Sequence, residues 1–402
     1  MPSLFQRPVK QYKIAYLIDR IWTDKAGTES QLLETIKRLD RQLFEPYLVC
    51  LYETAWTREN RLPCISSFLG YRGIIHPSFP GVVRRLTQLI ARERFEIIQT
   101  FFDDSIYACY MATLFCSHRP ILISSRRDLG LGKGQPWSQG LLRRGLRLVN
   151  SHFDEILVNA EVIRDHITHF EKAPRSKVTV LPNGIDPSYV PASLPDIFRR
   201  CPGYLRIGIT ANLSPVKRID VFLRALAALR DEHNIGAFEA VILGGGSEEP
   251  NLRELAATLA LDGRVTFVGV VADVAPYLQY LDIAVLCSDS EGLPNAILEY
   301  MKFSLPVVVT RVGGNTELVD DSNGIRVPPN DPRALADALA TLAKDPTLRA
   351  RMGSVSREKL ISRYTWERAI SDLQQYYLRL LRSHPRGKIR TPARPISVSD
   401  SR

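Results

Sequence analysis

Twice along the chain, short apolar runs alternate with longer segments of helical period, and few architectures accept that pattern. In the first half the runs fall near residues 13–18, 47–51, 96–100, 121–124 and 155–158. In the second they fall near 205–210, 240–243, 265–268, 283–287 and 306–310. A strand covered on both faces reads as a nearly continuous apolar run, and a helix carries the chain back to start the next parallel strand. The pattern therefore predicts an α/β chain of two doubly wound, Rossmann-like units in succession. Between them, Pro182-Asn183-Gly184 opens a stretch with four prolines, Pro182, Pro187, Pro191 and Pro195, which reads as the linker.

At 402 residues the chain exceeds what one core usually organises, and its 45% apolar content is that of a globular protein. The net charge of +10 is uneven: residues 1–200 carry +8, 201–350 carry −6 and 351–402 carry +8. A basic first half suits an anionic acceptor or membrane. Its basic residues are mostly single and lack interleaved aromatics, which argues against nucleic acid as a partner. No run reaches the length needed to span a bilayer, and the first residues lack the apolar core of a signal peptide, so the expected location is cytoplasmic. Residues 137–153, with Trp137, Leu141, Leu142 and Leu146 beside Arg143, Arg144 and Arg147, read either as an amphipathic helix on anionic lipid or as an ordinary surface helix. The six cysteines form no C-x2-C pair and read as reduced core residues. His166 and His169 share a helix face without a third ligand type, so no metal is expected. The polar, Pro-rich residues 385–402 read as a disordered tail.

Chemistry concentrates in loops of the second half. The run 283–287 leads into Ser288-Asp289-Ser290-Glu291-Gly292-Leu293-Pro294-Asn295, with a helix expected from Asn295, so free backbone N–H groups would face whatever lies above the sheet. Such an end suits a diphosphate. Glu299, one turn into that helix, is placed to accept from a ribose diol, and Glu291 lies nearer the transferred group. Taken singly, both read as solvated acids. Lys217, in Asn212-Leu213-Ser214-Pro215-Val216-Lys217, is expected at a helix start, where a cation opposes the dipole unless it answers an anion; alone it reads as a surface lysine. Gly244-Gly245-Gly246 lets backbone approach a ligand closely. No strand is followed by G-x-G-x-x-G, which counts against a nicotinamide dinucleotide.

In order, Asn183-Gly184-Ile185-Asp186, Asn212 to Lys217, Gly244-Gly245-Gly246, Glu291 to Asn295 with Glu299, and Gly313-Gly314 resemble the motifs of the retaining glycosyltransferases of family 4. The resemblance runs from about Lys13 to Tyr377 and implies the GT-B fold, with two Rossmann-like domains facing across a cleft. It implies that Lys217 contacts the donor diphosphate, that Glu299 holds the ribose and Glu291 the donor sugar, and that Gly292, Leu293, Pro294 and Asn295 lie against phosphate and sugar. Gly245 and Val271 would border the nucleotide, although Val271 reads equally as core. Ala26-Gly27-Thr28-Glu29 resembles the family's first glycine loop with alanine in place of its first glycine, which puts Gly27 on the acceptor side. Two departures stand out. Asn212 occupies a position where the family often has arginine, and Ser125-Arg126-Arg127-Asp128 replaces a loop that often holds histidine. Arg126 and Arg127 are candidates for an acceptor phosphate or carboxylate, or are solvated loop residues.

The expected division is 1–187 as the acceptor-side domain, 188–365 as the nucleotide-sugar domain, 366–384 as a helix returning to the first domain, and 385–402 as tail. The implied reaction moves a sugar with retention from a UDP-, GDP- or ADP-sugar to a glycan or lipid-linked acceptor, with no further cofactor. A nucleotide-sugar epimerase, a phosphorylase of the same fold and a non-catalytic nucleotide-sugar-binding protein are the alternatives, and they differ in what product analysis would find.

Overall fold

Residues 12–18 alternate too little to be a one-sided strand, and in the structure they form the buried centre of a sheet. The computed structural model describes residues 10–25, 27–128, 145, 148–199 and 203–384. Seven parallel strands, β1 (Tyr12–Ile18), β2 (Phe44–Cys50), β3 (Ile65–Phe68), β4 (Ile97–Phe101), β5 (Ile121–Arg126), β6 (Glu155–Val158) and β7 (Val178–Val180), run in the order β3-β2-β1-β4-β5-β6-β7. Six more, β8 (Leu205–Thr210), β9 (Phe238–Leu243), β10 (Val265–Gly269), β11 (Ile283–Leu286), β12 (Val307–Thr310) and β13 (Gly324–Val327), run in the order β10-β9-β8-β11-β12-β13. Both sheets carry helices between strands, so the chain is α/β with two Rossmann-like units.

The strand order reverses between β1 and β4 in the first sheet and between β8 and β11 in the second. At such a reversal the loops leaving two neighbouring strands diverge to opposite faces and open a crevice beyond the carboxyl ends, where ligands of this fold class bind. Each sheet thus has one topologically favoured place for a site.

Three strands, β3, β7 and β13, were not expected, and β5 extends two residues beyond the run 121–124. The extension is polar but buried: Ser125 Oγ accepts from Gln99 Nε2 at 2.7 Å, and Arg126 is held by protein partners described below. Among the described cysteines, Cys50, Cys109 and Cys287 are buried thiols and Cys64 and Cys116 are partly buried; Cys201 lies outside the described residues, as does the tail 385–402. Most of the stretch 137–153 also lies outside them. Of its described part, Val149 and Phe153 are buried and Leu148 is exposed. No described helix is long and apolar enough to cross a membrane.

The helix Trp366–Ser383 begins at Thr365, whose side chain accepts from Arg368 N, and buries Trp366, Ile370, Leu373, Tyr376, Tyr377 and Leu380 at helical spacing. Leu373, Tyr376, Tyr377 and Leu380 join the core of the first sheet beside Ile14, Tyr16 and Ile97. The Tyr377 hydroxyl donates to Gln99 Oε1 and lies 3.2 Å from the Tyr16 hydroxyl, so its polar tip is satisfied inside that core. The chain therefore crosses between the units twice. The crossings run side by side: Ile185 N donates to Tyr364 O at 2.8 Å, and Trp366 N donates to Ile185 O at 3.1 Å.

Candidate functional site

At the reversal in the second sheet, the loops after β8 and β11 are stitched together. Asp289 N donates to Val216 O at 2.8 Å, and the Cys287 thiol lies 3.1 Å from Arg218 O. Lys217 ends a 3-10 turn, Pro215–Lys217; Arg218 follows at φ 49°, and the helix starts only at Ile219. The lysine, expected at a helix start, thus stands on the turn that leads directly into the helix. Its Nζ lies 2.5 Å from Glu291 Oε1, and Ser288 Oγ donates to the same oxygen at 2.6 Å. Glu291 is only 9% exposed, whereas the Lys217 side chain keeps 23% of its surface. A buried carboxylate thus fixes an ammonium that still faces the crevice.

The helix Asn295–Lys302 starts after Pro294 with no side-chain cap, so its first N–H groups point outward. Glu299 is half-buried on it. Loss of water pushes its carboxyl up to about 7, with Lys302 pulling the other way and Asp273 adding to the rise. Leu293 and Pro294 are buried under this helix start. Of the three glycines after β9, Gly244 and Gly246 are the ones that admit no side chain. A Cβ on Gly244, at φ 128°, would lie 2.0 Å from Ala211 O, and one on Gly246 would lie 2.3 Å from Leu213 O. Gly245 instead faces Val270, which is 80% exposed, and Asn212 is exposed beside them. Val271 packs against the apolar core, so the exposed valine at this edge is its neighbour.

Across the crevice, Asn295 joins the two units. Its Oδ1 accepts from Asn183 Nδ2 at 2.8 Å, and its Nδ2 donates to Gly27 O at 3.3 Å. Asn183 Oδ1 in turn accepts from Arg127 at 2.8 Å. Arg127 thus lies at the seam, where burial pulls its guanidinium down to about 10 against the opposing effect of Tyr377. Arg126 does not. It is the last residue of β5, 7% exposed, and its guanidinium meets Asp103 at 3.3 Å, Glu171 at 3.5 Å and Asn150 Oδ1 at 3.1 Å. Those partners hold its terminal nitrogens, while its Nε is buried without a hydrogen-bond partner. Asn183 was quoted only as part of a motif, and no local signal marks it as a joint between partners more than fifty residues apart.

A further contact between the units concerns Glu317. The helix Glu161–Phe170 follows Ala160, which cannot cap it, and its first two N–H groups donate instead to Glu317 of the second unit at 2.9 and 2.8 Å. Glu317→Ala should cost about 1 kcal/mol of stability by removing this cap. A denaturation midpoint identical to the parent's would show that the contact carries no weight.

Two family models match the chain in succession: that described as Glycosyltransferase Family 4 over residues 26–189, and that described as Glycosyl transferases group 1 over residues 205–345. A lipopolysaccharide core biosynthesis glycosyltransferase, LpsE of Rhizobium meliloti, is 38% identical over 145 residues, covering 36% of this chain and 42% of its own. The match thus spans less than half of that relative. A GDP-mannose-dependent alpha-(1-6)-phosphatidylinositol monomannoside mannosyltransferase of Mycobacterium tuberculosis is 26% identical over 381 residues, covering 88% of this chain and 94% of its own. Among solved structures, Anabaena HepE in complex with UDP superposes with a TM-score of 0.77 at 20% identity, over 92% of this chain and all of that one. Both sheets, their order and their sequence models agree, and the chain belongs to the group 1 glycosyltransferases of family 4, with the GT-B fold.

Proposed function

We propose that the protein transfers a glycosyl group, with retention of configuration, from a nucleoside-diphosphate sugar to a hydroxyl of a glycan or lipid-borne acceptor in surface-glycan or glycolipid assembly. The observation that carries this reading is the Lys217–Glu291 pair at the crevice of the second sheet, beside an uncapped helix start and the raised carboxyl of Glu299. The diphosphate sits on the helix start and Lys217, and Glu299 accepts from the ribose diol. In the reaction the bond from the anomeric carbon to the diphosphate oxygen breaks, and a bond to the acceptor oxygen forms on the same face. The acceptor proton passes to the departing phosphate oxygen. Lys217 and the helix N–H groups stabilise the charge that grows there. Glu291, held by Lys217 and Ser288, faces the sugar as a hydrogen-bond acceptor. The UDP bound by HepE and the GDP-mannose named for the mycobacterial relative support a nucleotide-sugar donor and leave its base to measurement. The lipid named in that relative's substrate makes a membrane-surface location the natural proposal for this chain.

Incubation with a panel of UDP-, GDP- and ADP-sugars, following nucleotide release with and without acceptor extracts, tests the reading. Release with none of them overturns it, and product from a donor alone favours an epimerase. The pH dependence of donor binding is a second test. Glu299 accepts two ribose hydrogen bonds only when ionised, so binding must remove its proton below a pH of about 7. Affinity for the nucleotide should therefore fall by about tenfold from pH 8 to pH 6. In Glu299→Gln the affinity should be weaker and flat over that range. A wild-type profile as flat as the variant's would take Glu299 out of the ribose site.

A further inference from the structure

Beside the donor crevice one arginine stands where arginine is locally unfavourable. Arg218 has φ 49° and ψ 43°, the left-handed region, in which a side chain is strained and glycine is not. It precedes the helix Ile219–Asp231 without capping it by its side chain, and a cation at a helix start opposes the dipole. Backbone geometry and helix electrostatics would both be better served by glycine. What favours arginine here lies in the contacts of its guanidinium.

Those contacts run to two separate segments. Nε and Nη2 form a fork on the Asp220 carboxylate, both at 3.0 Å, and Nη1 reaches the oxygens of Asp289 at 3.3 and 3.5 Å. Asp220 lies in the first turn of the helix that Arg218 precedes, whereas Asp289 lies in the loop after β11. Hydrogen bonding to Arg218 holds the Asp220 carboxyl below its usual range, against the opposing effect of burial. Asp220 thus anchors the guanidinium, and its remaining arm crosses to the other loop. The same two loops enclose the Cys287 thiol, which is fully buried and lies 3.4 Å from Lys217 O and 3.1 Å from Arg218 O. Lys217 directly precedes Arg218, and Glu291 lies two residues beyond Asp289, so the Arg218–Asp289 and Lys217–Glu291 bridges span one pair of loops side by side.

An ammonium on a four-carbon stem has no fixed place of its own, so its aim depends on how the surrounding loops are held. A group that answers developing charge is effective only when it is already in position. Arg218, with two carboxylates on its guanidinium, has its own charge answered within the protein. Resting on the glycosyl-transfer reading above, we propose that Arg218 is a positioning residue for departure of the diphosphate: its bridge from Asp220 to Asp289 fixes the loop after β8 against the loop after β11, and so fixes the Lys217 ammonium where charge develops.

Stability and transfer should then part company in one substitution. Arg218→Gly removes the left-handed strain together with the bridge, so its melting temperature should stay within about 2 °C of the parent's. Turnover should fall by about tenfold or more, with donor affinity changed by less than about threefold. Asp289→Ala, which keeps the backbone bond from residue 289 to Val216 O, should lose turnover by a similar factor. The double variant should lose no more than the larger single loss, because both remove one bridge. A readout free of catalysis is alkylation of Cys287 by iodoacetamide in the full chain, followed by peptide mass spectrometry. Both single variants should label about tenfold faster than the parent, since loosening the two loops opens the path to the thiol.

Turnover of Arg218→Gly within about twofold of the parent's, losses that multiply in the double variant, or unchanged Cys287 labelling overturns the assignment. Weaker donor binding in Arg218→Gly with undiminished transfer in Asp289→Ala also overturns it, by making Arg218 a direct phosphate ligand. So does a melting temperature lowered by more than about 5 °C in both variants, which would make the bridge a general support of the fold. Failure of the wild type to use any nucleotide sugar strikes instead at the transferase reading, and Cys287 labelling still reports on the bridge in that case.

Discussion

Lys217→Ala is expected to lower sugar transfer by about two to three orders of magnitude, the usual scale for one donor aimed at developing negative charge in a water-poor site. The loss should fall on turnover more than on donor affinity, because the charge that Lys217 answers grows as the glycosidic bond to the diphosphate breaks. The substitution has a structural side too. Glu291 is nearly buried, and without its ammonium partner it keeps only the Ser288 hydroxyl. Removing one member of such a pair destabilises because the other charge is left unpaired. The double variant Lys217→Ala, Glu291→Gln separates the effects: stability should return toward the parent's while transfer stays low. Single-turnover kinetics and thermal unfolding on the three proteins decide it. Recovery of transfer in the double variant would mean that Lys217 serves only to neutralise Glu291.

The donor half of this picture was legible in the sequence because it is local. Lys217 lies in the loop after one apolar run and Glu291 in the loop after another, and the helix that holds Glu299 begins four residues beyond Glu291. The strands that went unread are short or at sheet edges. β3 and β7 are the two edges of the first sheet, and Ile65 on β3 is 60% exposed, so neither has the apolar run that a covered strand requires. β5 looked too short because Ser125 and Arg126 are polar, and only the pairing to Gln99, Asp103, Asn150 and Glu171 shows how they are buried. Arg126 looked like a loop cation for the same reason. The seam was invisible for a different one: Asn183 meets Asn295 across 112 residues, and Glu317 caps a helix that begins 156 residues earlier. Propensity and spacing carry no information on such contacts.

Gly292→Ala is expected to abolish productive transfer, by about a hundredfold or more, through the relation between the two units. A methyl at this position would lie 2.3 Å from the carbonyl oxygen of Arg127 and 3.3 Å from Ile163, both in the first unit. A backbone oxygen cannot move aside as a long side chain can, so the loop after β11 must withdraw from the loop after β5. Within its own unit Gly292 is held by Gly314 N, which donates to its carbonyl at 2.9 Å, and this bond does not involve the new methyl. Each unit should therefore fold as before, and nucleotide stabilisation should survive, since Lys217, Glu291 and Glu299 all belong to the second. What is lost is the close approach that brings Asn295 to Asn183 and Gly27, and with it the distance between sugar and acceptor. Small-angle scattering should show a larger radius of gyration than the parent's with nucleotide bound. Gly236→Ala is the control, because its added methyl would meet only the Arg264 side chain, at 3.7 Å and beyond. A Gly292→Ala protein with the parent's radius and near-normal transfer would mean that the contact at Arg127 is not needed for the reaction. With the radius unchanged and nucleotide binding lost, the methyl would be acting on the donor loop itself, and closure would not be the cause.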